Sequence, residues 1–150
     1  MAPGANPYGA SSARQLTIDD IRALPSVELT AEFKCIEGWS SIVHWTGARF
    51  SDFVRHYAPG SESASYVALA TPNGEYFVGI DMRSALHPQT LLCYAMNGRP
   101  LEDDHGAPLR LISTAKYGHK SIKRIGTITF SDRSTRDYWA EREYDYYVGL

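Results

Sequence analysis

Long apolar runs and a charge excess of one sign are both missing from this chain. No run of about 18 apolar residues occurs, so we expect no transmembrane helix. The formal net charge is −2, which provides no overall attraction to nucleic acid or to a membrane surface. With 150 residues, 43% of them hydrophobic, the chain is long and apolar enough to form one globular domain around its own core.

Short signatures of the common catalytic and nucleotide-binding sites are also absent. The sequence has no Walker-type GxxxxGK loop, no GxGxxG loop, no HExxH or CxxC pair and no GxSxG elbow. Its five histidines are scattered without the spacing of zinc ligands. These absences argue against P-loop enzymes, dinucleotide-binding folds, zinc sites and serine hydrolases of the usual kind.

Cysteine is scarce, with only Cys35 and Cys93 in the chain. Two cysteines cannot form the framework of a disulfide-rich secreted domain, although a single bond between them stays open. Cys93 lies in the apolar stretch LLCYAM, which favours a role as core filler. Cys35 follows an alternating stretch that predicts a strand over Val27–Ile36, and there a buried structural thiol and a metal-binding thiolate are both compatible with the pattern.

The N-terminal stretch MAPGANPYGASSAR lacks the basic region and the apolar region of a secretory signal peptide. Because it is rich in proline, glycine, serine and alanine, we expect a flexible lead over residues 1–16 and one domain over residues 17–150. A cytoplasmic location is the default expectation. A periplasmic location is expected instead if an export signal has been removed.

The remaining pattern predicts a mainly β domain of the α+β class with two or three short helices. Helices are expected at Thr17–Leu24, where Thr17 and Asp20 have capping-box spacing, and around Phe50–Tyr57, where apolar residues repeat at helical intervals. A hairpin is expected at Asn73-Gly74, between two β-rich stretches. Further strands are expected at Ala107–Ser113 and Lys123–Phe130.

A basic segment follows from Arg110 to Arg124, in an otherwise slightly acidic chain. It carries five of the chain's 15 basic residues and no acid; these are Arg110, Lys116, Lys120, Lys123 and Arg124. Gly118 would let a ligand approach the backbone closely, and serine and threonine hydroxyls add hydrogen-bond donors. The segment therefore predicts a phosphate- or pyrophosphate-binding site, with a solvated basic surface as the plain alternative. RNA binding is less favoured, because no aromatic RNP motif is present.

Five short motifs, taken in order, resemble a known family. They are CIEGWS from Cys35, WTG from Trp45, MNGRPL from Met96, HGAPLRL from His105 and KYGHKSIKRI from Lys116. Together they resemble the molybdopterin-binding domain of the sulfite oxidase family, and most closely a bacterial branch that contains a periplasmic methionine-sulfoxide reductase. The resemblance extends from about Thr17 to the end of the chain.

The resemblance implies a cofactor of molybdenum with one molybdopterin, and Cys35 matches the cysteine that binds the metal. Glu37 matches an acid near the metal that could carry protons, although an ordinary loop acid fits the sequence as well. Residues that match or surround the pterin and phosphate contacts are Thr71, His105, Arg110, Lys116, Lys120, Ser121, Ile122 and Lys123. His105 stands where the methionine-sulfoxide reductase has asparagine, which keeps a hydrogen-bonding side chain at that position.

The function implied by this resemblance is oxygen-atom transfer to or from a small substrate, with a sulfur compound as one candidate. Sulfite is disfavoured, because IEGWS replaces the arginine-bearing sequence that follows the cysteine in sulfite oxidases. No haem-attachment motif is present, so an external electron-transfer protein is expected as partner. The rival hypothesis is a non-catalytic anion- or cofactor-binding domain that keeps the fold without the metal.

Two cations of the basic segment carry the most specific expectation. Arg110 and Lys123 are predicted to face the cavity that Cys35 reaches and to bind the terminal phosphate of the pterin. Alanine at either position is expected to weaken cofactor binding, while the stability of the cofactor-free chain hardly changes or even rises as repulsion between like charges is relieved.

Overall fold

The computed structural model describes residues 14–34, 40–113 and 122–132, without the side chains of 31–41. Within these ranges the chain forms three short helices, α1 (Ile18–Arg22), α2 (Phe50–Tyr57) and α3 (Met82–Ala85). The strands in the same ranges are β1 (Val27–Lys34), β2 (Ser40–Arg49), β3 (Tyr66–Ala70), β4 (Phe77–Asp81), β5 (Thr90–Met96), β6 (Arg99–Pro100), β7 (Arg110–Ser113) and β8 (Thr127–Ser131). The predicted class, mainly β with a few short helices, is confirmed.

The strands form two antiparallel sheets. The five-stranded sheet has the order β1-β2-β5-β6, with β7 also paired to β5, and the three-stranded sheet has the order β4-β3-β8. The predicted hairpin at Asn73-Gly74 joins β3 to β4, and the second Asn-Gly pair turns β5 into β6 with positive φ angles at both residues. β1 begins at Val27 as predicted, and its described part ends at Lys34, one residue before Cys35.

Local sequence rules account for the helices. Thr17 accepts a hydrogen bond from the backbone N–H of Asp20, whose carboxylate accepts one from the backbone N–H of Thr17, so the predicted capping box begins α1. In α2, one face is buried through Phe50, Phe53 and Val54. This apolar stripe packs into the main core and explains why a helix of only eight residues is stable there.

Among the described side chains, two apolar clusters lie on opposite faces of the five-stranded sheet. The larger cluster contains the buried side of α2 together with residues from both sheets. The smaller one comprises Val43, Trp45, Leu91, Cys93, Leu101 and Ile112. Leu92 belongs to the larger cluster and its neighbours Leu91 and Cys93 to the smaller, so β5 is buried on both faces. A continuous apolar run such as LLCYAM is what such a strand requires.

Candidate cofactor-binding site

Backbone hydrogen bonds bring the predicted site residues that the structure describes to one edge of the fold. The N–H of Leu111 donates to the carbonyl of Ile122 at 2.9 Å, and the N–H of Ile125 donates to the carbonyl of Leu109 at 3.0 Å. The segment 122–126 therefore runs beside the beginning of β7. The N–H of Gly126 then donates to the carbonyl of Ala70 at 2.7 Å, which places the end of β3 and Thr71 next to the same segment.

Two glycines permit this close approach. A Cβ atom on Gly126 would lie 2.5 Å from the Cα and N atoms of Pro72, so only glycine lets the segment pass the end of β3. Gly106 has a φ of +97°, and a Cβ there would lie 2.9 Å from the Cβ of Lys123. The loop that carries His105 and the segment that carries Lys123 are thus in direct contact.

Arg110 is the most deeply buried cation of the site. It is 2% exposed, and its Nη1 donates to the backbone carbonyl of His105 at 3.2 Å. Its guanidinium lies 4.8 Å from the ring centroid of Trp45, which is itself 2% exposed. Burial lowers the pKa of Arg110 to about 10, and the neighbouring Cys93 acts in the opposite direction. Arg110 therefore remains a cation at neutral pH, held in a fixed orientation by the stack and the carbonyl.

Lys123 occupies a different environment, because it is exposed. Its Nζ donates to the backbone carbonyl of Asp104 at 2.9 Å. The buried, planar guanidinium of Arg110 and the exposed, flexible ammonium group of Lys123 thus contact neighbouring carbonyls of the His105 loop. Phosphate is bound by both kinds of group, the guanidinium through paired oxygens and the ammonium group as a point charge. Of the two, the exposed Lys123 is accessible to a phosphate-bearing cofactor as it stands, whereas the groups that cover Arg110 would have to move before its guanidinium could reach one.

Thr71 lies at this edge but is engaged in its own turn. Its hydroxyl is 2.7 Å from Oδ1 of Asn73 and accepts a hydrogen bond from the N–H of Tyr76 at 3.2 Å. These contacts stabilise the β3–β4 turn. A contact from Thr71 to a cofactor would have to share or replace one of them.

Five predicted residues lie outside the part of the chain that the structure describes: Cys35, Glu37, Lys116, Lys120 and Ser121. Their roles stay predictions. Within the described ranges, no group of three or more histidine, cysteine, aspartate or glutamate side chains could hold a metal ion. In the same ranges, no helix has the length and apolar character needed to span a membrane.

Cys93 has the structural role that the sequence predicted. Its thiol is free and fully buried, so the open alternative of a disulfide with Cys35 is excluded. Burial raises the pKa of Cys93 from 9.0 to about 12, while the charge of Arg110 acts to lower it.

We expect the Cys93 thiol of the folded chain to resist alkylation by iodoacetamide at pH 8, because the thiolate is the reactive form. The unfolded chain should react at both cysteines under the same conditions. The raised pKa also predicts that Cys93 contributes a loss of stability as pH rises from about 9 towards about 12, since only the unfolded state then releases the proton. Peptide mass analysis measures how far each cysteine has been alkylated. Rapid modification of Cys93 in the native protein would contradict the expected protection.

Two contributors to the site were missed at the sequence level. Trp45 belongs to the WTG motif, but nothing in the motif showed that its ring would stack on Arg110. The contact arises because β5 pairs with both β2 and β7, which places Cys93 opposite Gly47 on one side and Arg110 on the other. Arg124 was included in the basic segment without a role of its own, and its contacts with the His105 loop had no signal in the sequence.

Comparison with known proteins defines the class to which this fold and site belong. The sulfane dehydrogenase SoxCD from Paracoccus pantotrophus superposes with a TM-score of 0.77 over 89% of this chain and 38% of its own, at 16% identity, so the two share a fold. The profile of the oxidoreductase molybdopterin binding domain matches residues 9–139. The chain belongs to this molybdopterin-binding domain family, as the ordered motifs predicted.

Relatives within the family are named as methionine-sulfoxide reductase subunits. The putative protein-methionine-sulfoxide reductase subunit YedZ1 of Azospira oryzae is 34% identical over 133 residues, covering 89% of this chain and 50% of the relative. The protein-methionine-sulfoxide reductase catalytic subunit MsrP of Xanthomonas axonopodis pv. citri is 37% identical over 139 residues, covering 83% of this chain and 43% of the relative. The chain thus spans about half the length of these relatives.

Proposed function

We propose that this chain forms the cofactor-binding domain of a molybdenum- and molybdopterin-dependent oxidoreductase. The observation that carries the proposal is the meeting of Arg110, Lys123 and the His105 loop at one edge of the fold. The family match over residues 9–139 supports a pterin phosphate as the anion that these cations bind.

In this proposal Cys35 provides the single protein thiolate to the metal, because a soft thiolate suits a soft metal centre. Arg110 and Lys123 bind the terminal phosphate, with Lys116, Lys120 and Ser121 as further donors. Thr71, His105 and Ile122 line the pterin. When bound, the molybdenum centre supplies two-electron redox chemistry coupled to transfer of an oxygen atom.

The reaction that we propose is reduction of a sulfoxide to a thioether. The sulfoxide S–O bond breaks, two electrons and two protons are consumed, and the products are the thioether and one water molecule. An external electron-transfer protein supplies the electrons, and Glu37 holds and transfers a proton near the oxygen. The names of the relatives support a methionine sulfoxide as substrate, and the word subunit in those names supports a partner chain.

We propose a periplasmic location in place of the cytoplasmic default. The cytoplasmic expectation rested only on the lack of a signal-like N-terminus, and the comparisons do not support it. The bacterial branch that the motifs resemble contains a periplasmic enzyme. Fractionation of the native host, with detection of this chain in the periplasmic or the cytoplasmic fraction, tests the assignment.

Turnover with a reduced viologen dye as electron donor tests the proposed activity. The protein, purified from a molybdopterin-competent host, should oxidise the dye when free or protein-bound methionine sulfoxide is added, and sulfite should not be oxidised when a dye acceptor replaces the donor. A protein that contains molybdenum but reduces no sulfoxide would contradict the proposed substrate. A protein that binds molybdopterin without molybdenum and catalyses nothing would support the non-catalytic rival.

A further inference from the structure

Arg124 has an unusual backbone and a long reach. Its φ of +55° lies in the left-handed region, which residues other than glycine rarely adopt. Its side chain extends to a separate loop, where Nε donates to the carbonyl of Ala107 at 3.2 Å and Nη2 lies 3.8 Å from Oδ1 of Asp103. Arg124 therefore ties the segment 122–126 to the loop that contains His105.

That loop is held by cations at three of its carbonyls. Arg110 donates to the carbonyl of His105, Lys123 to that of Asp104 and Arg124 to that of Ala107. Backbone hydrogen bonds inside the loop set the shape of the 3₁₀ turn Asp103–His105: the N–H groups of His105 and Ala107 donate to the carbonyl of Glu102, and that of Gly106 donates to Asp103. The three cationic side chains attach this turn to β7 and to the segment 122–126.

Arg110 and Lys123 are the two of these three cations that the proposed function assigns to the phosphate. The ammonium group of Lys123 has three N–H donors on a flexible stem, so in the proposed complex it is shared between the phosphate and the carbonyl of Asp104. An ammonium group that is shared in this way fixes the loop less firmly than one that serves the carbonyl alone. Arg124 has no assigned contact with the cofactor and can keep its hold on Ala107.

We propose that Arg124 is a positioning residue, which fixes the His105 loop through the carbonyl of Ala107 while Lys123 binds the cofactor phosphate. This inference rests on the proposed function of the site. It assigns to Arg124 a contribution to cofactor retention without contact with the cofactor itself.

The hydrogen bond, rather than the ion pair, is the contact that matters. The side chains of Arg124 and Asp103 are 51% and 90% exposed, and an exposed pair at 3.8 Å contributes little. Glutamine carries its amide nitrogen at the same number of bonds from Cα as arginine carries Nε, so Arg124→Gln keeps a donor for Ala107. Arg124→Met removes the donor. Both variants lose the charge and keep a side chain that is unfavourable at positive φ, so their comparison isolates the hydrogen bond.

A matched control exists on α2. Arg55 is also exposed and pairs with Asp52 at 3.1 Å, one turn away on the same helix. Arg55→Met removes the same charge from a surface ion pair, and we expect no effect on the site. Arg55→Met therefore shows how much of any effect of Arg124→Met comes from the loss of one positive charge alone.

The experiment uses the full chain purified from a molybdopterin-competent host. The rate at which pterin is lost after dilution into cofactor-free buffer is measured together with hydrogen exchange at the amides of Gly106 and Ala107. For Arg124→Met we expect both rates to rise roughly three- to tenfold, the range that loss of one hydrogen bond gives. Arg124→Gln and Arg55→Met should stay within about twofold of the unaltered chain, since one keeps the hydrogen bond and the other leaves the site intact. Turnover per bound molybdenum should be unchanged in all three variants.

Specific outcomes overturn the inference. Unchanged pterin loss in Arg124→Met, with or without faster exchange, shows that the residue does not position the loop for the cofactor. An equal defect in Arg124→Gln assigns the effect to charge instead of the hydrogen bond. An unaltered chain that carries no pterin at all overturns the proposed function itself, and that result is seen before any variant is compared.

Discussion

Cys35→Ser is expected to abolish molybdenum retention and turnover while leaving a folded chain. Serine is nearly isosteric with cysteine, but its hydroxyl is a much harder ligand and is not deprotonated at neutral pH. The expected result is a molybdenum content near background and a loss of sulfoxide reduction to the level of the protein-free reaction. Metal analysis and dye-linked turnover of the purified variant measure the two effects, and circular dichroism checks the fold.

Cys93→Ala is the matched control for this experiment. It removes the other cysteine of the chain from a fully buried site next to Arg110, where the thiol is free and protonated at neutral pH. The variant should lose stability through the small cavity but keep its molybdenum and its turnover. A serine variant of Cys35 with full turnover, or loss of metal only in Cys93→Ala, would contradict the assignment of Cys35 as the ligand.

Arg110→Ala is expected to lower cofactor affinity roughly tenfold to a hundredfold, which corresponds to about 1.5–3 kcal/mol for a charge-assisted hydrogen bond. The structure revises the accompanying expectation that the stability of the cofactor-free chain would hardly change. Arg110 is buried, stacked on Trp45 and bonded to the carbonyl of His105. Its removal leaves a cavity and takes a donor from a backbone carbonyl, so we expect the free energy of unfolding to fall by about 1–3 kcal/mol.

Lys123→Ala separates binding from stability, because Lys123 is exposed and the variant loses only the exposed hydrogen bond from Nζ to the carbonyl of Asp104, a loss of no more than about 1 kcal/mol. This variant should lose cofactor affinity with little change in the unfolding free energy. Cofactor content at limiting supply and urea unfolding of the cofactor-free chains provide the two measurements. If both Arg110→Ala and Lys123→Ala retain full cofactor at limiting supply, the phosphate assignment is wrong.

Local features of the fold could be predicted because their causes are local. The capping box of α1 depends on Thr17 and Asp20 alone, and the β3–β4 hairpin depends on the turn preference of Asn73-Gly74. The alternation that begins at Val27 likewise specified β1. Each of these signals lies within a few residues, so reading it requires no knowledge of contacts between distant parts of the chain.

The contacts around Arg110 could not be predicted, because strand register across the sheet creates them. The β2–β5 pairing shifts register between Thr46 and Gly47, and a Cβ on Gly47 would lie 2.2 Å from the carbonyl oxygen of Leu92. This close approach of backbones sets where the ring of Trp45 lies relative to β7. Nothing in the sequence specifies which residues of two neighbouring strands lie opposite each other.

The cations of the basic segment differ in burial, which the sequence did not show. They were predicted to form one phosphate-binding surface, but the structure places Arg110 in the interior and Lys123 and Arg124 outside. The difference follows from β7, whose four residues are all buried because the strand pairs with the central strand β5. Charge composition led to the prediction of a phosphate ligand, which stays a prediction, whereas burial decides which cation also contributes to stability.

Molybdenum content per chain is the most direct test of the account. The protein should be purified from a host that makes molybdopterin, and the metal should be counted against the protein concentration alongside Cys35→Ser prepared in the same way. The account predicts roughly one molybdenum atom per unaltered chain, as a single thiolate ligand implies, and almost none in the variant. Repeated preparations of the unaltered chain without molybdenum, or equal molybdenum in both proteins, would contradict it.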